Sequence, residues 1–185
     1  SGEIIGRVNR TICKELDLPK NVMVASGAHD QYCAAIGAGV AEPGDIMLAT
    51  GTAWVVLGVS EEYEADSFTQ LSHSRHAAEG KWGVMGTLGQ GGKAMEWIRY
   101  NIAKTVWKND QEKAETFDDI DRKAFQKSPG SNGLFFYPHF SGGPYPTNWG
   151  SDNGALIGLK FNNDRYDIAR ALMEGVAFDV RWMLE

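Results

Sequence analysis

The apolar repeat in the last twenty or so residues constrains the fold more than any other feature of the sequence. Five apolar residues recur there at every fourth position: Ile168, Leu172, Val176, Val180 and Leu184. This spacing predicts a long amphipathic helix over residues 164–185. A helix with one apolar stripe must bury that stripe against other elements. The chain therefore has to form a packed core, and its 185 residues, 43% of them hydrophobic, are enough to build one.

Short apolar runs separated by turn residues predict strands ahead of that helix. The predicted strands are residues 22–26, 46–50, 53–59, 67–78, 81–86, 134–137 and 155–159, and the other predicted helices are residues 4–16, 31–39 and 93–104. The acidic stretch 109–127 is favoured as a solvated helix over a lid-like excursion, and residues 141–153 are predicted to be a loop. Strands and helices alternate in a way that indicates an α/β protein.

Charge and composition exclude several function classes. Eighteen Lys and Arg residues against 24 Asp and Glu give a formal charge of −6, without a basic cluster, so nucleic acid is not expected as a partner. No apolar run reaches the roughly 20 residues that span a bilayer, and the first residues do not resemble a signal peptide. We therefore expect a cytoplasmic protein that does not bind membranes. The chain neither starts on Met nor ends on a helix stop signal, which predicts a piece of a longer protein.

Cysteine and histidine spacing does not predict a metal site. Cys13 and Cys33 are too few for a disulfide framework or a four-thiolate zinc site, and we expect both to be reduced, buried thiols. His73 and His76 are three residues apart in a predicted strand, where they point to opposite faces, so we expect them on the surface.

The glycine-rich segment 86–94 matches neither of two common phosphate-binding motifs. A lysine-bearing phosphate loop needs Gly and Ser or Thr where this sequence has Thr87 and Ala94. A dinucleotide fingerprint needs an acidic residue about 20 positions later, at the end of a second parallel strand, and here an acidic helical stretch is predicted instead. A dinucleotide-dependent oxidoreductase is therefore disfavoured.

Asp30 is the most informative acidic residue. It follows a predicted strand, in the place where α/β proteins form their sites, and small residues around it leave room for a ligand. The alternative is a helix N-cap, which is an ordinary role for an Asp at this place. His29 could either orient this carboxylate or only fill space.

The sequence Thr50-Gly51-Thr52 forms the tip of the first predicted hairpin. Such a tip can turn backbone N–H groups toward a phosphate, or it can be an ordinary turn. An acid that accepts a proton, a hairpin tip for phosphates and a glycine pair that opens a helix together suggest phosphoryl transfer.

Two stretches of the chain resemble the carboxyl-terminal domain of FGGY carbohydrate kinases. The first is GAHDQYCAAIGAGVAEPGDIMLATGTAW, at residues 27–54. The second matches that family's second signature at Gly154, Leu156, Gly158, Leu159, Asp167, Ile168, Ala171, Leu172, Met173 and Glu174. The resemblance implies a partial ribonuclease-H-like, actin-like ATPase domain with a mixed sheet and flanking helices. It implies that residues 1–185 are the first part of a second domain, whose remainder and whose partner sugar-binding domain lie elsewhere.

The resemblance also implies an activity and roles for individual residues. The activity is transfer of phosphate from ATP, bound with Mg²⁺, to a sugar or polyol hydroxyl. Asp30 resembles the general base and Gln31 a substrate-contacting glutamine, while Gly51 and Thr52 resemble a phosphate contact. Gly92 resembles a glycine that lies against the nucleotide. Glu96 stands where glycerol kinases have a nucleotide-contacting Gln.

The same resemblance leaves the substrate and the assembly open. The motif His29-Asp30-Gln31 differs from those of typical xylulose and glycerol kinases, so a pentulose such as xylulose is only the first candidate. A module of the same fold that senses sugar or nucleotide without transferring phosphate is the alternative, and retention of Asp30 favours the kinase. Residues 1–185 alone are expected to be inactive, and a homodimer is one assembly left open.

Overall fold

The computed structural model describes residues 1–63, 71–103, 106–108, 111–113, 115–140, 142 and 153–185. The strands are β1 (Ile4–Arg7), β2 (Met23–Ala25), β3 (Ile46–Thr50), β4 (Trp54–Ser60), β5 (Ser72–Arg75), β6 (Trp82–Leu88), β7 (Val106–Lys108), β8 (Gln111–Lys113), β9 (Phe135–Tyr137) and β10 (Ala155–Ile157). The helices are α1 (Arg10–Glu15), α2 (Asp30–Gly37), α3 (Gly91–Trp97), α4 (Phe117–Phe125) and α5 (Arg165–Leu184). A π-helical turn, Ile98–Ile102, continues α3, and a 3₁₀ turn, Ser131–Gly133, precedes β9.

The predicted helix over residues 4–16 is wrong in its first half. Residues 4–7 form β1, which pairs antiparallel with β2, so that Ile4 lies opposite Ala25 and Arg7 opposite Met23. The helix begins only at Arg10, because the Asn9 side chain caps it by accepting a hydrogen bond from the Thr11 amide at 2.8 Å. A pairing partner remote in sequence and a local cap together override the helical spacing of the apolar residues.

Both predicted hairpins are confirmed. Four strands form one sheet in the order β3-β4-β6-β5. Residues 51–53 join β3 to β4, a link too short for a parallel crossover. Gly80, with φ of +71°, lies in the turn between β5 and β6. Residues 64–70, which the second hairpin prediction includes in part, lie outside the described residues.

The chain divides into two compact units, each with its own buried residues. The first unit contains Ser1–Met47, Leu57–Ala65 and His73–Val84, and the second contains Leu48–Val56, Asp66–Ser72 and Met85–Glu185. In the first unit, Tyr32, Ala35 and Leu57 form a small cluster. In the second unit, a larger cluster includes Leu88, Ile98, Ile120, Phe136 and Leu172.

Helix α5 confirms the prediction made from the apolar repeat. Asp164 caps its N-terminus, and Asp167 completes the capping box. Lys127, just beyond α4, reaches both carboxylates, with its Nζ 2.7 Å from Asp164 and 3.3 Å from Asp167. The hydrogen bond to Asp164 raises the pKa of Lys127. Asp167 is fully buried and also accepts a hydrogen bond from Asn132 at 3.0 Å, so this buried carboxylate is paired.

The middle of α5 lies directly against the backbone of β9. Gly175 faces the strand, and a methyl group at its Cα would overlap the carbonyl oxygen of Phe136. β9 in turn pairs antiparallel with β10, so that Phe136 lies opposite Leu156. Only glycine permits this approach of helix to strand.

We predict that Gly175→Ala destabilises the protein by about 1–3 kcal/mol, because the new methyl group pushes α5 away from β9. Thermal unfolding followed by circular dichroism measures this change. The matched control is Gly37→Ala, at the last residue of α2, where an added Cβ meets nothing within 4 Å. A Gly175→Ala variant as stable as the control would contradict the close packing of α5 on β9.

Candidate functional site

Asp30, the predicted catalytic residue, is the first residue of α2 and lies in the first unit. The N-cap is His29, whose Nδ1 accepts a hydrogen bond from the Gln31 amide at 3.3 Å. Asp30 Oδ1 accepts from the same amide at 2.7 Å and lies 3.2 Å from His29 Nδ1. The N-cap alternative for Asp30 therefore does not hold, since His29 occupies that position. His29 Nδ1 accepts the Gln31 amide proton and therefore has no proton of its own to donate to Asp30, so both roles considered for His29 remain predictions.

The Asp30 carboxylate is open to solvent on most of its surface. Its side chain is 86% exposed, and among the described residues its polar contacts are with its sequence neighbours His29 and Gln31. A carboxylate held in this way can accept a proton from a ligand that approaches the N-terminus of α2. Gln31 beside it is half-buried, and its Oε1 is enclosed without a hydrogen-bond partner among the described residues. That oxygen is an unsatisfied acceptor, which a ligand hydroxyl can reach only when the Gln31 side chain turns outward.

The tip of the β3–β4 hairpin, which carries Gly51 and Thr52, lies in the second unit. Three backbone amides around it are already used. Gly51 donates to the carbonyl of Ala53 at 3.2 Å, while Gly92 and Lys93 donate to the carbonyl of Thr52 at 3.1 and 3.2 Å. These amides are not free for an anion in this arrangement. Thr52 itself is exposed, so its hydroxyl can contact a ligand.

Gly92 is required where α3 meets this hairpin tip. A methyl group at Gly92 would overlap the carbonyl oxygen of Gly51. The neighbouring Gly91 is buried under the indole of Trp54, and a Cβ there would enter that ring. Glu96 lies on α3 with an exposed side chain. The structure thus brings Gly51, Thr52 and Gly92 together.

The second unit also contains a cleft of about 310 Å³ that the sequence analysis does not predict. Its walls come from β4, α3, α4 and α5, and its lining residues include Trp54, Met95, Phe125, Arg170 and Met173. The Arg170 guanidinium is paired with Glu174 at 2.7 Å. Trp54 and Met95 could have been noticed because one follows the hairpin tip and the other lies one helical turn after Gly91.

Of the four predictions about the burial of cysteine and histidine residues, two are wrong and a third is wrong in part. Cys13 is buried as predicted, but Cys33 is exposed, because only Tyr32 and Ala35 on α2 face the sheet. His76 is 4% exposed and lies edge-on to the Tyr32 ring. His73 is half-buried, and both its ring nitrogens are enclosed beside the Tyr63 ring. Strand alternation cannot reveal burial on both faces of a sheet.

The described residues contain neither a cluster of His, Cys, Asp and Glu that could hold a metal ion nor a helix that could cross a membrane. The predicted site residues fall into two separate sets: His29, Asp30 and Gln31 in the first unit, and Gly51, Thr52 and Gly92 in the second.

Comparison with known proteins identifies a family. The family described as "FGGY family of carbohydrate kinases, C-terminal domain" matches residues 46–185. A xylulose kinase of Staphylococcus epidermidis is 29% identical over 180 residues, which cover 97% of this chain and 34% of that protein. The chain thus spans about a third of the length of that relative.

Solved structures show the same fold. The crystal structure of a xylulose kinase from Rhodospirillum rubrum matches with a TM-score of 0.83 and 25% identity, over 98% of this chain and 35% of that one. A Plasmodium falciparum glycerol kinase crystallised with ADP matches with a TM-score of 0.76 and 22% identity, over 99% of this chain and 34% of that one. The described elements therefore form an α/β structure of the actin-like ATPase class, as the sequence analysis predicts.

We predict that burial of His76 makes the stability of the protein depend on pH. Burial lowers the pKa of His76, so the unfolded chain binds a proton more readily than the folded chain does. This contribution to stability is present above about pH 6.5 and is lost as the pH falls through the lowered pKa. In denaturant unfolding, a change from pH 7 to pH 5 should therefore lower the free energy of unfolding less for His76→Asn than for the unmodified protein.

The matched control is His29→Asn. Each histidine uses Nδ1 to accept a backbone N–H two residues ahead, which an Asn side chain can replace, but the His29 side chain is 54% exposed. The control should lack the reduced loss of stability that we expect for His76→Asn, because it leaves the buried His76 in place. If the free energy of unfolding changed equally between pH 7 and pH 5 in all three proteins, the effect assigned to His76 would be contradicted.

Proposed function

Because the chain belongs to the FGGY family of carbohydrate kinases, we propose that it is part of an enzyme that phosphorylates a hydroxyl group of a sugar or polyol with ATP. Since the chain spans about a third of the length of the S. epidermidis relative, we further propose that residues 1–185 form the first part of the second domain of a longer kinase. On this proposal, residues 1–185 alone are inactive, because the groups that orient the sugar come from other parts of the enzyme.

Asp30 is the general base of the proposed reaction. Its carboxylate takes the proton of the attacking hydroxyl group as that oxygen bonds to the γ-phosphorus of ATP. The bond between the γ-phosphorus and the bridging oxygen breaks, and ADP leaves with that oxygen. The observation that carries the proposal is that Asp30 begins α2 with its side chain 86% exposed, while His29 performs the capping. The unpartnered Oε1 of Gln31 supports a contact with the sugar.

Thr52 is the proposed contact for the nucleotide phosphates at the hairpin tip. The amides of Gly51, Gly92 and Lys93 are engaged within the protein, so the Thr52 hydroxyl is the donor that we assign to the phosphate. Gly92 acts through the backbone, since it allows α3 to hold the carbonyl of Thr52. Glu96 is exposed on α3 and is also proposed to lie near the nucleotide. Its carboxylate would repel a phosphate group placed close to it. Mg²⁺ enters the proposal only as the ion carried by the ATP phosphates.

D-Xylulose is the first sugar to test, because the S. epidermidis relative and the R. rubrum structure are both named xylulose kinases. A panel of pentuloses, gluconate and glycerol with the full-length protein identifies the acceptor. A sensor of sugar or nucleotide is the alternative function. It predicts binding of ATP without release of ADP for every acceptor, and the kinase predicts release of ADP that depends on one of them.

We predict that Asp30→Asn in the full-length protein lowers kcat by on the order of 10²- to 10⁴-fold, because the amide cannot accept the proton. Binding of ATP should remain, since the proposed nucleotide contacts lie on other elements. The measurement is ADP release in the presence of the acceptor from the panel, together with ATP titration by calorimetry. Asp45→Asn is a matched control, because that carboxylate serves a turn by accepting the amides of Ala41 and Glu42. Turnover of Asp30→Asn close to the unmodified rate would remove Asp30 from the mechanism.

We predict that Thr52→Val raises the KM for ATP at least tenfold and leaves the KM for the sugar within about twofold, because a charge-assisted hydrogen bond to phosphate contributes about 1.5–3 kcal/mol. Gly92→Ala should act in the same direction, since its methyl group displaces the Gly51 carbonyl and with it the hairpin tip. Thr11→Val, at an exposed position of α1, is the control. A change confined to the KM for the sugar would assign Thr52 to the wrong substrate.

A further inference from the structure

Helix α2 is attached to the first unit through few side chains. Only Tyr32 and Ala35 of its eight residues are buried. The Ala35 side chain is a single methyl group, so Tyr32 supplies most of the apolar area that holds the helix. Asp30 is two residues from Tyr32, and its own polar contacts among the described residues are with its sequence neighbours. The position of the Asp30 carboxylate therefore depends on where Tyr32 places the start of α2.

Tyr32 is held by contacts on several sides. Its side chain is 1% exposed, and its hydroxyl donates to the carbonyl of Gly83 at 3.3 Å and accepts from the Ser74 hydroxyl at 2.8 Å. The rings of His29 and His76 lie edge-on to it, with centroids at 5.7 and 5.3 Å. A buried hydroxyl with both a donor and an acceptor has a defined orientation. The contact with His29 connects this buried group to the residue beside the Asp30 carboxylate.

Gly83 on β6 makes room for the Tyr32 ring. A Cβ built on Gly83 would lie inside the contact distance of the ring carbons Cε1 and Cζ, and close to the hydroxyl oxygen. The ring thus rests on a bare stretch of strand backbone. Any side chain at position 83 has to move Tyr32 and, through it, the beginning of α2.

We propose that Tyr32, seated on Gly83, is a positioning residue that sets the place and orientation of the Asp30 carboxylate. This inference rests on the proposed function, in which Asp30 is the base. Tyr32 acts through Asp30 and the His29 cap, and its buried side chain does not touch the substrates itself. Displacement of α2 should therefore lower kcat and leave the KM for ATP unchanged.

The test uses two variants of the full-length protein that disturb the contact between Tyr32 and Gly83 in different ways. Gly83→Ala displaces the ring, and we expect kcat to fall about 10- to 100-fold, since a shift near 1 Å at a reacting group can cost about 100-fold. Tyr32→Phe keeps the ring but removes both hydrogen bonds of the hydroxyl, and we expect a decrease of about threefold to tenfold. If Gly83→Ala does not fold, Tyr32→Phe still tests the proposal.

Each variant has a matched control in the first unit. Gly58→Ala also adds a methyl group to a strand glycine, but that methyl group meets nothing within 4 Å. Tyr63→Phe also removes a phenolic hydroxyl, from a side chain that is 53% exposed. Both controls should keep kcat within about twofold of the unmodified protein. Equal decreases in the controls and the test variants would overturn the proposal.

Combination with Asp30→Asn separates positioning from general loss of structure. If Tyr32 acts through the carboxylate, Gly83→Ala and Tyr32→Phe should have little further effect on the residual rate of Asp30→Asn. If Tyr32 only supports the fold, the two decreases should multiply, and the proposal is overturned while Asp30 remains the base. If Asp30→Asn alone leaves kcat unchanged, the assignment of the base fails, and the positioning role fails with it.

Discussion

Contact between backbones at glycine residues is the constraint on which the second unit depends. Gly92 allows the start of α3 to meet the tip of the β3–β4 hairpin, where a methyl group would overlap the carbonyl of Gly51. Gly175 allows α5 to meet β9 in the same way at Phe136. Leu88, Ile98 and Leu172 of the apolar cluster pack without voids only when the backbones approach this closely, because protein interiors are packed at the density of organic crystals.

The two residue sets of the candidate site are held by different means. Thr52 is placed by main-chain hydrogen bonds from Gly92 and Lys93, which fix the hairpin tip on α3. Within the described part of the chain, Asp30 has only local hydrogen bonds, and its position follows from how Tyr32 holds α2. A carboxylate that accepts a proton benefits from exposure, since strong pairing to a cation would hold it in the ionised form. The position of the Asp30 carboxylate therefore has to be set by a neighbouring side chain.

The secondary-structure predictions were correct where local sequence signals determine the element. They were wrong where the element pairs with a strand that is distant in sequence. The apolar residues at every fourth position of α5 and the cap at Asp164 are local features, so the helix could be predicted directly from the sequence. Residues 4–7 have helical spacing, yet they form β1, because pairing with β2 supplies backbone hydrogen bonds that the spacing does not reveal. The predictions that fall on residues 67–70, 104, 109–110, 114, 141 and 143–152 lie outside the described residues. In the stretch predicted as a solvated helix, Phe117–Phe125 is helical, but Gln111–Lys113 forms β8 by pairing with β7.

The sequence by itself determined which chemical groups are present and in what order: an acid after a strand, a Gly-Thr hairpin tip, a glycine pair before a helix and the two stretches that resemble the FGGY kinases. These features are local or belong to motifs, and composition and spacing reveal them. Only the tertiary structure decided that His29, rather than Asp30, caps α2. It also decided that the amides of Gly92 and Lys93 are used within the protein, and that Tyr32 lies on Gly83. Each of these depends on distances between atoms of different residues, which the packing of the chain sets.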